Sequence, residues 1–190
     1  SGCQIAEELN RAGRNVHLAV GRHRRIPHVY RGRLTLKWLA DLGLFHTPLP
    51  PTANGETPPP LVVTGVDGGH DINLRTFARE GVILHGALLD IEAGMARFDK
   101  DLELRLGEAD RSARDITQRI DEYVSCHGID APAAAALDPV EATEDDGSAL
   151  LDFDRAGIAT VIWCIGYEYD FDWVKLDIFD PRGRPRQSRG

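Results

Sequence analysis

Apolar and polar positions alternate along this chain in two rhythms. Ile5, Ala6 and Leu9 recur at helical spacing within Cys3 to Ala12, and Gly13 stands where such a helix would end. "NVHLAV", Asn15 to Val20, changes to period two and predicts a half-buried strand. An arginine-rich polar stretch from Gly21 to Gly32 separates it from "LTLKWLADLGLF", a short amphipathic helix or lid. Six prolines within the fifteen residues of "HTPLPPTANGETPPP" rule out a regular element and predict an irregular excursion. "LVVTGVDGGHDINL" carries a short apolar run and a glycine turn into the helix "NLRTFAREG". "VILHGALLDIEAGMARFD" reads as strands joined by tight turns, the last at Ala93-Gly94. Asp101 to Cys126 is the longest helical stretch, with apolar residues at Leu104, Ile116, Ile120, Tyr123 and Val124. Ala131 to Ser148 is a flexible insertion by composition, and "IATVIWCIGY" is expected to be a buried strand ending in a glycine turn. No internal repeat is visible. Strands alternating with helices predict an α/β class with a mainly parallel sheet.

Composition narrows the class of protein. The 190 residues suffice for one well-cored domain, or one domain and part of a second. No apolar run approaches the roughly 18 residues of a membrane span. Cys3, Cys126 and Cys164 are odd in number and far apart, with no CxxC pair. That argues against a disulfide framework or zinc knuckle and leads to the expectation of a reducing, cytoplasmic setting. The net charge of −8 hides an asymmetry, for Leu9 to Ala40 holds eight Lys or Arg and no acidic residue. Five of those arginines fall between Arg22 and Arg33, whereas Leu137 to Asp154 holds seven acids and no base. An acidic chain with one arginine cluster suits a small anionic ligand better than nucleic acid.

The chemistry begins at the first residues. A dinucleotide-binding turn, G-x-G-x-x-G, joins a first strand to a helix whose N-terminal amides hold a pyrophosphate. If Gly2 is the third glycine, the first strand and two glycines would lie upstream of Ser1. The ribose discriminator should then stand about 20 residues on, an acid for NAD or an arginine for NADP. Counting from Gly2 arrives at Arg22, directly after "NVHLAVG", with Arg24 and Arg25 beside it and no acid near. Guanidinium groups suit a 2′-phosphate, which a carboxylate would repel. A solvent-facing arginine loop stays open as the alternative.

"SGCQIAEEL…VHLAVGRHRRIPHVYRGR", "VTGVDGGHDINLRTFAREGVILHG" and "ATVIWCIGYEYDFDWV" together resemble the flavin-containing monooxygenase-like group of FAD- and NADPH-dependent oxidoreductases, including flavoproteins of the CzcO type. The resemblance covers nearly the whole chain apart from the acidic insertion. It implies a Rossmann-like three-layer NAD(P)-binding domain, incomplete at its N-terminus, over residues 1–157, with an insertion at about 131–148. Residues 158–190 would then be a return crossing toward an FAD domain. It implies cofactor contacts at Ser1, Gly2, Cys3 and Gln4, a 2′-phosphate region at Arg22, Arg24 and Arg25, and an A-T-G-Y-like segment ending in Gly166 and Tyr167. Cys164 and Ile165 replace the alanine and threonine of that segment. The expected activity is hydride transfer from NADPH to FAD in the intact protein, with a small-molecule substrate, no nucleic acid and no membrane. The alternative is a non-catalytic α/β module whose arginines hold a phosphorylated ligand or protein partner. An open sheet edge would favour a homodimer.

Other constellations allow two readings each. Asp67, His70 and Asp71, with His85, could suggest a metal, but a glycine turn capping the next helix accounts for the loop. Cys3 at a helix start could be an activated thiol or a packed small residue. Cys164 reads as core. Glu168, Asp170 and Asp172 alternate with aromatics as solvated acids on an extended segment would. Tyr30 and Trp38 could stack on a base or pack a lid.

Overall fold

The computed structural model describes residues 2–46, 59–134, 136–137, 149–167, 170–181 and 183–186. Ser1, most of the proline-rich excursion and most of the acidic insertion fall outside them. The order of elements is α1 (Gly2–Arg11), β1 (His17–Ala19), β2 (Arg24–Arg25), β3 (Val29–Tyr30), β4 (Arg33–Leu34), α2 (Thr35–Asp41) and β5 (Leu61–Val62). A 3-10 turn (Val66–Gly68), α3 (Leu74–Arg79), β6 (Ile83–His85), β7 (Leu88–Glu92) and β8 (Met95–Phe98) follow. The chain then forms α4 (Leu102–His127), β9 (Leu150–Asp152) and α5 (Phe153–Ala156).

The architecture is mixed α/β with small parallel and antiparallel sheets. β1 pairs with β6 in parallel, His17 opposite Ile83 and Ala19 opposite His85. β2 and β5 form a second parallel pair. β3 and β4 make an antiparallel hairpin, and β7, β8 and β9 an antiparallel sheet. The β7–β8 turn is the one expected at Ala93-Gly94. Both residues have positive φ, +49° and +78°, as the tightest hairpin turns require.

Two apolar clusters hold these pieces. In the first, Ala6 of α1 and Phe77 of α3 meet Val20, Leu84, Leu102 and Leu106 around β1 and β6. In the second, Tyr30 and Trp38 dock on Ile120 and Val124. α4 bridges them, because 26 residues at 1.5 Å each span roughly 39 Å. Its buried stripe runs Leu102, Leu106, Ala109, Asp110, Ala113, Thr117, Ile120 and Val124. Leu104, expected on that stripe, is 60% exposed, since it lies two residues out of phase with Leu102 and Leu106.

Several expectations change. "IATVIWCIGY" forms no strand, and Ile162, Trp163 and Tyr167 are exposed. Cys164 is likewise exposed, not core. A strand needs a neighbour to supply its hydrogen bonds and cover its side chains, and none stands beside this run among the described residues. The first residues of the expected insertion are tied to the fold. Ala131 packs on the second cluster, and the Pro132 carbonyl accepts a hydrogen bond from Arg31 at 3.1 Å. The acids around Tyr169 do not simply alternate. The Asp170 carboxylate accepts the Asp172 amide at 2.9 Å in a turn, while Phe171 stacks on Phe179. Glu168 and Tyr169 are outside the described residues.

Candidate functional site

α1 begins at Gly2, and its apolar side leans on β1. The residues it presents there, Gly2, Ile5 and Leu9, line a cavity of about 430 Å³. Gly21, two residues past the end of β1, lines the same cavity. The N-terminus of α1 and the chain just before Arg22 therefore border one space. A Cβ on Gly2 would lie 3.0 Å from the Cys164 Cβ, so the helix start and the 158–165 segment approach as closely as a glycine allows. Glycine at this position is explained by that crowding whatever the cavity holds.

The predicted residues separate into distinct environments. Ser1 lies outside the described residues. Cys3 is partly buried against the first cluster, and burial pushes its thiol above the ordinary value, with Cys164 and Glu7 adding to the rise. A thiol held protonated is a packing group rather than a nucleophile. Gln4 Nε2 donates to Thr64 Oγ1 at 3.3 Å, tying α1 to the loop after β5. Arg22 is exposed just beyond β1. Arg24, also exposed, donates from Nε to the Pro59 carbonyl at 2.8 Å. Arg25 turns inward, 5% exposed, with both Nε and a terminal nitrogen 2.9 Å from Asp110 Oδ1. Gly166, at φ +88°, and Tyr167, 97% exposed, stand beyond the lined part of the cavity.

The arginine cluster is thus largely an internal structure. Arg31 pairs with Asp121 at 2.6 Å and Arg33 with Asp41 at 2.5 Å. With Arg25 on Asp110, Arg25, Arg31 and Arg33 each meet a carboxylate of the described residues. Tyr30 and Trp38, 5% and 2% exposed, are core residues and are not positioned to stack on a base. Trp38 Nε1 donates to the Tyr30 carbonyl at 2.9 Å, and Arg33 lies over its ring.

The loop after β5 also has internal partners. His70 Nε2 donates to the buried Glu7 carboxylate at 2.7 Å, and Arg11 reaches the same oxygen. Asn73, rather than the Asp67–Asp71 stretch, caps α3 by accepting the Arg75 amide. Among the described residues no group of three His, Cys, Asp or Glu side chains is placed to hold a metal.

Two groupings escaped sequence reasoning. One is the buried cluster of Arg25, Asp110 and Arg75, with the exposed Glu103 at its margin, whose single local signal is a carboxylate in the apolar stripe of α4. The other is His17 and His85, whose rings share a 2.9 Å hydrogen bond where β1 and β6 lie side by side. His85 also stacks on Phe98. Their only local sign was one histidine in each predicted strand.

Burial lowers the His17 pKa below its ordinary 6.5, and burial likewise lowers His23. The unfolded chain then binds protons more readily than the folded one. Stability from these two groups is full above pH 6.5 and falls as pH drops from 6.5 toward the folded values. Urea unfolding across that window should show this loss, with a shallower slope in His17→Gln. An unchanged slope would refute the assignment to His17.

Comparison with protein-family models, curated proteins and solved structures finds no match for this chain. Among the described residues no helix is long and apolar enough to cross a membrane.

Proposed function

We propose that this chain is the NADPH-binding part of an FAD-dependent oxidoreductase of the flavin monooxygenase-like kind, built on a Rossmann-like plan. The observation that carries the reading is the shared border of Gly2 and Gly21. The N-terminus of a ten-residue helix and the turn leading to Arg22 meet at one cavity. Backbone amides and the helix dipole at Gly2, Cys3 and Gln4 would hold the pyrophosphate. Arg22 and Arg24, both exposed, would meet the 2′-phosphate. Arg25 fits that role poorly, being committed to Asp110, and would act by holding β2 in place. NADPH, when bound, supplies a hydride, which FAD accepts in the intact protein. The residues of this chain bind and orient the nucleotide, and no general acid or base is assigned among them.

The test uses the intact polypeptide carrying this chain, mixed anaerobically with NADPH or NADH while flavin absorbance is followed. Fast bleaching by NADPH and slow bleaching by NADH are expected. In Arg22→Ala and Arg24→Ala each lost charge-assisted contact is worth about 1.5–3 kcal/mol. The KM for NADPH should therefore rise roughly 10- to 100-fold, with that for NADH unchanged. Absence of flavin, or no reduction by either nucleotide, would overturn the reading and favour a non-catalytic module that binds a phosphorylated ligand.

A further inference from the structure

The start of α1 and the run after α5 bring two cysteines, distant in sequence, together in space. Cys3 is the second residue of α1 and packs on the first apolar cluster. Cys164 is exposed. Where a Cβ on Gly2 would stand, the Cys164 Cβ is 3.0 Å away and its Sγ 3.5 Å. Consecutive Cα atoms are about 3.8 Å apart, so Cys164 lies against the residue one step before Cys3. Burial raises the pKa of the Cys3 thiol, and Cys164 adds to the rise, so the two sulfurs sense each other's charge.

The surroundings let that pair close. A disulfide needs Cα atoms about 5.5–6 Å apart and Cβ atoms about 3.8 Å apart. The helix is fixed, with Ala6 and Leu9 in the first cluster and Gln4 bonded to Thr64. Thr160 to Ile165 pairs with no strand among the described residues, so a small shift toward α1 breaks no ladder. Gly2 puts no side chain in the way. The third cysteine is out of reach. Cys126 stands roughly 36 Å along α4 from Leu102, whose end of the helix meets the cluster under Cys3.

We propose that Cys3 and Cys164 form a redox-responsive pair that reacts with small disulfides of the glutathione class and closes into an intramolecular disulfide, clamping residues 158–165 onto the start of α1. Cys164, being exposed, reacts first: its thiolate attacks one sulfur of oxidised glutathione, whose S–S bond breaks. A mixed disulfide forms, and one glutathione leaves and takes up the proton that Cys164 gave to solvent. Cys3 then loses its proton and attacks the Cys164 sulfur, expelling the second glutathione. The two cysteines give up two electrons and two protons, and the small disulfide is reduced to two thiols. Excess reduced glutathione runs the same steps backward, so a reducing setting keeps the pair as thiols. Neither step involves a nucleotide, so this reaction and nucleotide binding can each fail alone.

The experiment incubates the full chain anaerobically with oxidised glutathione, folded or in unfolding urea. Acid quenching, alkylation of remaining thiols and tryptic mass spectrometry follow. Trypsin places the three cysteines on separate peptides, residues 1–11, 120–155 and 156–175. The expected product joins the first and third peptides and leaves the intact chain lighter by two hydrogens. It should form roughly tenfold or more faster in the folded chain than in urea, because the fold raises the effective concentration of one thiol at the other. Cys126 should carry a glutathione adduct and no crosslink. Cys3→Ser should stop at a glutathione adduct on Cys164, and Cys164→Ser should leave Cys3 unmodified over the same time. Absence of the joined peptides once Cys126 is modified would overturn the proposal. So would equal rates in folded and unfolded chain, or a crosslink between two chains. The unsubstituted chain decides this alone, since its Cys126 adduct shows that the oxidant has acted, even if a variant fails to fold.

Discussion

Asp110→Ala is expected to remove about 3–5 kcal/mol of stability, a large share of the roughly 5–15 kcal/mol available to a domain. Asp110 is 2% exposed and accepts from Arg25 at 2.9 Å and from Arg75 at 3.0 Å. Both guanidiniums are 5–6% exposed, and Arg75 continues to Glu103 at 2.9 and 3.0 Å. Burial works against the charge on Arg75, but Glu103 and Asp110 outweigh it and hold its pKa above the ordinary value. Removing the central carboxylate leaves Arg25 away from water without that partner and Arg75 with Glu103 in place of two acids, and that penalty exceeds the loss of the contacts themselves. The link joins β2, α3 and α4 between the two apolar clusters, so its loss should lower the denaturant midpoint for the whole chain. A triple variant, Arg25→Met, Asp110→Leu and Arg75→Met, should recover to within about 1 kcal/mol of the parent, because apolar groups of similar volume can replace a buried ion cluster. A loss below about 1 kcal/mol in Asp110→Ala would show that the cluster is not buried in solution as described.

Gly86→Ala should cost about 3 kcal/mol through a clash that no rotamer relieves. A Cβ there would lie 2.0 Å from the Asp99 carbonyl oxygen and 2.7 Å from Asp101 Oδ1. The neighbouring Ala87 donates to Asp101 Oδ1 at 3.0 Å, and its carbonyl accepts the Asp99 amide at 2.8 Å. Backbone must therefore move and break the bonds that seat α4 against β6. Arg105 and the Ala87 amide also hold the Asp101 carboxyl below its ordinary value, so that anchor is charged above about pH 4. At 2–4 °C per kcal/mol the expected fall in Tm is roughly 6–12 °C. Gly107→Ala is the matched control, since its Cβ would meet only the end of Arg111 at 3.8 Å within α4. It should gain about 1 kcal/mol from helix propensity. If both substitutions shift Tm alike, the crowding at Gly86 is refuted.

The first and fourth helices, the helix after Asn73 and the Ala93-Gly94 hairpin were legible because each rests on residues within a few positions of one another. Helical spacing of Ile5, Ala6 and Leu9, and positive φ at consecutive turn residues, are local properties. The two exposed arginines of the proposed nucleotide site, Arg22 and Arg24, were legible by the same kind of counting. Arg25 was not, because its direction depends on Asp110, 85 positions away. Tyr30 and Trp38 gave no local sign of burial, since α4 covers them from about 90 residues on. "TVIWC" shows the limit most plainly. Residue type alone predicts a buried strand there, but a strand is completed by its neighbours, and among the described residues this run pairs with none. By itself the sequence determined the local elements and the clustering of arginines. Only tertiary structure decided which of those charges turn inward and which apolar runs find a strand partner, because charge pairing and sheet formation depend on partners distant in the chain.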